Sequence, residues 1–187
     1  VETLRGLGHS RGFAVDVVGA VASASGQQVS SSIIRRLIAG GDLDGAAPLL
    51  GRRYSVAAPV VRGEGRGRTI GFPTLNLGIP AEKLLPPDGV WVVTVETSRG
   101  RFGGMMNQGH RPTFGDGRRL LEVHLFDFEG ELYHRPVRVT WLSPLRATRH
   151  FASVAELQQQ LEHDGERARA MLALASEDLD APLTAPE

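Results

Sequence analysis

Hydrophobic and polar positions change their rhythm twice along this chain. Between residues 30 and 51 the apolar residues come in short helical groups. Ser30-Ser31-Ser32 lead into Ile33-Ile34-Arg35-Arg36-Leu37-Ile38, with Gly40-Gly41 behind them. That is an N-cap, a short helix and a glycine stop. A second helix is expected from a cap at Asp42 to Gly51, held to a turn or two by Pro48. Ahead of these, residues 1–12 are too glycine-rich to assign, residues 13–18 read as a β-branched strand, and residues 19–28 as a loop.

From Arg53 the pattern becomes one of short strands punctuated by turn signals, which predicts an all-β barrel or sandwich. Strands are expected at 54–62, 90–96, 102–107, 120–126 and 136–142, with a short extended piece at 74–77. Alternation in 120–126 sends Leu121, Val123 and Leu125 to one face and Glu122, His124 and Phe126 to the other. The rhythm then turns helical. Ser153-Val154-Ala155-Glu156 is a capping box, and Val154, Leu157, Leu161, Ala168, Met171 and Leu172 form one apolar stripe. Such a helix would cover an open end or one wall of a barrel, with Gly165 as a point of break or kink. Residues 176–187, with two prolines and four carboxylates, are expected to be disordered.

Composition narrows the classes. Of 187 residues 41% are hydrophobic, enough for a packed core. Lys plus Arg and Asp plus Glu number 21 each, so no net charge draws the chain to nucleic acid or to an anionic membrane. No apolar run is long enough to span a bilayer, and no signal-peptide core is present at the N-terminus. The expected setting is cytoplasmic. Cysteine is absent, which removes disulfides, thiolate metal sites and cysteine nucleophiles. The first residue is Val1 rather than Met, which is expected of a processed chain, an excised fragment or an incomplete sequence.

The densest candidate chemistry lies in Gly63-Glu64-Gly65-Arg66-Gly67-Arg68-Thr69-Ile70-Gly71-Phe72-Pro73-Thr74-Leu75-Asn76-Leu77. Glycines let the backbone approach a ligand, and Arg66 and Arg68 add positive charge, a combination suited to phosphates. Pro73 pushes Phe72 towards an extended conformation. If extension continues, Thr74 and Asn76 share one face, offering a hydroxyl and an amide oxygen to Mg²⁺ beside nucleotide phosphates. Glycine-rich loops are more often plain turns, and this one is not a Walker A because no Gly-Lys-Ser/Thr follows. Glu122 is a candidate general base if its face lines a pocket, and an ordinary solvent-facing carboxylate otherwise. His124 shares that face, where a hydrogen-bonded structural histidine is the commoner case. Arg111 suits the nucleotide or the acceptor. Arg146 suits a ligand or the orientation of the final helix.

Four motifs in order carry a resemblance. Gly71-Phe72-Pro73-Thr74-Leu75-Asn76-Leu77 resembles the Gly-Phe-Pro-Thr-Ala-Asn-Leu signature of riboflavin kinases. Asn107-Gln108-Gly109-His110-Arg111-Pro112-Thr113-Phe114 resembles that family's Asn-x-Gly-x-Arg-Pro-Thr-Phe loop. Glu122-Val123-His124-Leu125-Phe126-Asp127-Phe128 resembles its catalytic-glutamate strand, and Arg146 with Phe151 its strand-to-helix junction. Upstream, Val29-Ser30-Ser31-Ser32-Ile33-Ile34-Arg35 resembles the end of the FMN adenylyltransferase domain of bifunctional FAD synthetases, whose His-x-Gly-His site is not in this sequence.

The resemblance implies a six-stranded Greek-key β-barrel with a C-terminal α-helix (53–175), preceded by a truncated α/β nucleotidyltransferase remnant with linker (1–52). It implies transfer of the ATP γ-phosphoryl group to riboflavin, giving FMN but not FAD, with Glu122 as catalytic base. Nucleotide binding falls to Gly63, Gly65, Arg66, Gly67, Arg68, Gly71, Pro73, Thr74 and Asn76, with Mg²⁺ on Thr74 and Asn76. Substrate contacts fall to Asn107, Arg111, Thr113 and Arg146. Leu75, His134 and His150 depart from the family's usual Ala, Gly and Lys. The alternatives are one half of a bifunctional FAD synthetase and a flavin-binding regulatory module without catalysis. The intact Thr74, Asn76 and Glu122 favour the enzyme.

Overall fold

A computed structural model of the chain describes residues 1–17, 19, 21, 22, 26, 28–110 and 119–179. Its elements are α1 Glu2–Arg11, α2 Ser31–Gly40, α3 Leu43–Leu50, β1 Ser55–Val61, α4 Arg66–Thr69, β2 Leu75–Leu77, β3 Gly89–Thr97, β4 Gly100–His110, β5 Arg119–Leu125, β6 Pro136–Arg146 and α5 Val154–Leu179. The six strands close into an antiparallel barrel in the order β1-β2-β5-β4-β3-β6. Because β1 pairs with both β2 and β6, no strand edge is left open. The expected barrel and C-terminal helix are both present.

Period-two alternation sorts the strand residues into two cores. Inside the barrel lie Val56, Val60, Leu77, Trp91, Val93, Val95, Met106, Leu121, Val123, Val139 and Trp141, nearly all fully buried. Each such side chain contributes roughly 1.5–3 kcal/mol when removed from water. Gln108 is also buried there. It accepts a hydrogen bond from Trp141 Nε1 (3.2 Å) and donates to the Pro86 and Pro87 carbonyls, so its burial is compensated.

The second core lies outside the wall. Val90, Val92, Met105, Phe126, Leu142 and Leu145 meet Leu161, Ala168, Met171 and Leu172 of α5. Gly103 permits this approach, since a side chain there would come within 2.6 Å of Leu172 Cδ1. The capping box forms with a shifted second bond. Ser153 Oγ accepts from the Glu156 N–H (3.1 Å), and the Glu156 carboxylate accepts from the Ala152 N–H (2.9 Å). Two expectations for this helix need correction. α5 runs without interruption through Gly165 and continues to Leu179, inside the segment expected to be disordered; residues 180–187 lie outside the described residues. Val154, placed in the apolar stripe by its spacing, is 60% exposed at the first turn.

At the N-terminal side, Asp42 caps α3 by accepting from the Gly45 N–H (2.9 Å), and α2 and α3 each stop at a glycine of positive φ, Gly41 and Gly51. Ser30 occupies the N-cap of α2 without a side-chain capping bond. Ile38, Leu43 and Ala46 belong to the same buried cluster as Tyr54, Leu85 and Trp141 of the barrel. One core therefore runs continuously across residue 52. Residues 13–17 form no strand, and Val18 lies outside the described residues. A strand needs a neighbour for its backbone groups, and here the segment folds back on α1 instead: the Phe13 N–H bonds the Gly8 carbonyl at 3.0 Å. Residues 2–11 are helical despite their glycines.

Candidate active site

One line of cross-strand partners runs across all six strands. Val61 faces Asn76, Asn76 faces Glu122, Glu122 faces Asn107, Asn107 faces Val90, and Val90 faces Arg146. Paired residues in a sheet point to the same face, so four of the expected site residues are brought onto the outer wall together. From β5 to β6 the line crosses three strand spacings, about 14 Å along the wall. Leu121 and Val123, on either side of Glu122, point into the barrel and are fully buried.

That line opens into a cleft of about 400 Å³ between the wall, the N-terminal part of α5 and the glycine-rich segment. The volume is in the range of small-molecule sites. Glu122, Asn107, Thr74 and Arg146 face it, as do Gly65, Arg66 and Gly67. Its apolar lining includes Val90, Met105, Phe151, Leu157 and Leu161.

The glycine-rich segment is not a continuous loop, because α4 forms one helical turn within it. Gly67 lies so close to the Phe72 carbonyl that a side chain would be 2.2 Å from its oxygen. Gly63 lies directly over the Asn76 amide, where a side chain would be 2.1 Å from Nδ2. These two glycines are close-approach positions, whereas Gly71 (φ 82°) serves the turn before Phe72. Arg66 pairs with Glu64 (2.7 Å), both exposed. Arg68 turns away from the main cleft towards Glu131 (3.6 Å) and, with Pro73, borders a smaller depression beside Phe128 and Tyr133 that also reaches Thr74.

Asn76 is 5% exposed, and its Oδ1 is buried with no hydrogen-bond partner. An unsatisfied buried carbonyl oxygen costs about 1–3 kcal/mol, a cost that a hydrogen-bond donor or a cation reaching this atom would relieve, although Asn76 itself does not line the cleft. His124 lines the cleft beside Glu122 and is held in place there: Nδ1 lies 2.9 Å from the Pro73 carbonyl, and its ring packs against Phe72 and Phe126. It ties the strand that bears Glu122 to the residue preceding Thr74.

Arg146 faces the cleft, but its guanidinium is engaged from behind. Nε and Nη2 each lie 2.8 Å from Oδ2 of Asp164, a fully buried residue on α5, and Nη1 donates to the Ala147 carbonyl (3.0 Å). Gln160 donates to the other Asp164 oxygen (2.7 Å). Phe151 lies under both Arg146 and Arg149. Sequence reasoning missed Asp164, although the signal was present: it is a carboxylate three residues after Leu161 and four before Ala168, within the apolar stripe of α5. Arg111 and Thr113 lie outside the described residues.

The riboflavin kinase (flavokinase) family pattern matches residues 50–172. The chain belongs to the riboflavin kinase family. The bifunctional riboflavin kinase/FMN adenylyltransferase of Bacillus subtilis (strain 168) is 39% identical over 145 residues, 76% of this chain and 46% of that protein. The protein of the same description from Pseudomonas fluorescens is 37% identical over 173 residues, 92% of this chain and 55% of its own length. An alignment that long takes in α2 and α3 as well as the barrel. The chain thus spans about half the length of the curated relatives it matches. A solved structure described as a macrolide-efflux protein from Streptococcus pneumoniae aligns with a TM-score of 0.71 and 37% identity, over 87% of this chain and 53% of that one. Among the described residues of this riboflavin kinase domain, no helix is long and apolar enough to cross a membrane.

Proposed function

We propose that this chain transfers the γ-phosphoryl group of ATP to the ribityl 5′-hydroxyl of riboflavin, giving FMN. The observation that carries the reading is the line of register that puts Glu122 between Asn76 and Asn107, facing a cleft walled by the glycine-rich segment. Glu122 takes the proton of the attacking hydroxyl. Asn107, its neighbour on β4, holds that hydroxyl end in place. The nucleotide's phosphates approach from the side of Gly65, Arg66 and Gly67, where backbone N–H groups and a guanidinium are offered. Gly63, Arg68, Gly71 and Pro73 support the same segment from outside the main cleft.

The flavin ring then lies along the wall towards Arg146, over Val90 and Met105 and against Phe151, Leu157 and Leu161. Such a pose matches apolar lining to the ring and polar residues to the ribityl chain. Arg111 and Thr113 belong to this reading as substrate contacts on the strength of the family motif alone. A cytoplasmic setting is part of it too.

The residues present suit a divalent cation. Asn76 Oδ1 is a buried oxygen lacking a partner, and Thr74 adds a hydroxyl one residue before the strand. A set of neutral oxygens fits Mg²⁺ when phosphates carry the charge. A bound Mg²⁺ would supply charge neutralisation to the transferring phosphoryl group. Every other element is the chain's own: Glu122 removes a proton, the wall orients the flavin, and α5 excludes water.

The test is direct. The purified chain is incubated with riboflavin, ATP and Mg²⁺, and flavin products are separated by chromatography. ATP-dependent FMN formation is expected. Riboflavin binding without any FMN would replace this reading by that of a flavin-binding module.

A further inference from the structure

We infer that Asp164, steadied by Gln160, is a positioning residue that aims Arg146 into the flavin end of the cleft. The inference rests on the proposed kinase reading and adds to it a residue that lies outside the cleft.

Arg146 ends β6 and stands at the far end of the register line from Asn76. A free arginine there would have many rotamers, most of them pointing to solvent, and ordering such a side chain carries a large entropic cost. Here the side chain is only 17% exposed, and its guanidinium is fixed at three points: twice on Asp164 Oδ2 and once on the Ala147 carbonyl. The Phe151 ring adds a fourth contact, 5.7 Å from its central carbon. The plane of the guanidinium is thereby set before any ligand arrives. An arginine fork held in one orientation loses less freedom per hydrogen bond made to a ligand.

Asp164 itself is fully buried, and it does not line the cleft. A carboxylate at such a place needs its lone pairs satisfied. Arg146 bonds Oδ2, and Gln160, one helical turn earlier, bonds Oδ1 at 2.7 Å. The side-chain route from Asp164 and Gln160 to a bound flavin therefore runs through Arg146. A residue that merely docked α5 on the wall would act on flavin affinity through Leu157 and Leu161, and that effect would persist once the Arg146 guanidinium is gone.

The test uses the whole chain, with FMN formation and melting temperature read for each variant. For Asp164→Asn the KM for riboflavin should rise about tenfold, as expected on losing one charge-assisted hydrogen bond to a ligand. Its kcat at saturating flavin and its KM for ATP should stay within about twofold, because Glu122 and the glycine-rich segment are untouched. Gln160→Leu, which keeps the ion pair, should give a smaller rise in the same direction and guards against a misfolded Asp164→Asn. In an Arg146→Lys background neither change should raise the riboflavin KM further. Equal KM effects with and without Arg146 would overturn the inference, as would a fall in melting temperature with riboflavin KM unchanged. Failure of the unmodified chain to form FMN would instead overturn the kinase reading.

Discussion

Leu121 and Glu122 are neighbours on β5 and belong to different parts of the molecule. Leu121 points into a closed barrel whose contents are almost wholly apolar and fully buried. Glu122 points out to a wall that α5 covers only in part, and the uncovered part is the cleft. The inner face of the strands thus fills the barrel, and the outer face is divided between the second core under α5 and the cleft. The barrel lends the outer face its rigidity: register fixes the spacing of Asn76, Glu122, Asn107 and Arg146 without any of them contributing to the inner core. A one-residue slip would exchange the two faces, so the apolar interior also protects the site from misregister.

The N-terminal side offers the sharpest challenge to this division. Deleting residues 1–28 should leave the melting temperature and FMN formation nearly unchanged, since among the described residues none of them joins either core. Deleting residues 1–52 also removes Ile38, Leu43 and Ala46 from the barrel core, a loss of roughly 3–6 kcal/mol from the two large side chains. Urea denaturation of the two truncations measures the difference. Equal stability would mean that the barrel core closes without α2 and α3.

Glu122→Gln tests the outer face. The turnover rate should fall by ~10²–10⁴, on the order of 3–5 kcal/mol of barrier, with the riboflavin dissociation constant and the melting temperature little changed. Near-normal turnover with lost flavin affinity would make Glu122 a binding group and end its assignment as base. Leu121→Ala is the matching change on the inner face. It should cost about 2–5 kcal/mol of stability and leave the KM values of the folded fraction as they were.

Thr74→Ala should act more gently, raising the KM for Mg²⁺–ATP several-fold with partial recovery at high Mg²⁺; an unchanged KM would take the hydroxyl out of the cation's environment. The smallest effect is expected far from the cleft. Arg169 donates two hydrogen bonds to Asp127 (2.7 and 2.9 Å), and with its charge this holds the Asp127 carboxyl below the usual aspartate range. A depressed folded-state pKa means that the pair stabilises the fold above the ordinary aspartate pKa and loses this contribution as pH falls through the lowered value. Arg169→Ala should therefore shift the urea midpoint slightly near neutrality and by less in strong acid, where only the contact of Arg169 with the Phe126 ring is left to lose. Asp127 is exposed, so a shift as large as that of Leu121→Ala would contradict the screening expected at a surface.

The local rules of the chain were legible in its sequence. Strand alternation alone separated Leu121, Val123 and Leu125 from Glu122 and His124, because side chains in a strand have only two directions. Glycine stops, the Asp42 cap and the Ser153 capping box depend on residues within four positions of one another, and they formed with small adjustments. The motif resemblance supplied the barrel and the family, and it named the candidate site residues. What failed locally was the strand expected at residues 13–18, since β-branched composition cannot supply a neighbouring strand.

Other features were decided by partners distant in sequence. Asn76 and Glu122 meet only because β2 pairs with β5, and Arg146 joins them only because β6 closes on β3. His124 could be placed on the face of Glu122 from the sequence, but its bond to Pro73 spans 51 residues. Asp164 was not singled out by the sequence, because its role depends on the barrel wall that brings Arg146 against it. Likewise, the break in composition at Arg53 suggested a boundary where Ile38, Leu43 and Ala46 enter the barrel's own core. Sequence patterns report which face a side chain takes within its own element; which other face it meets is a property of the closed barrel.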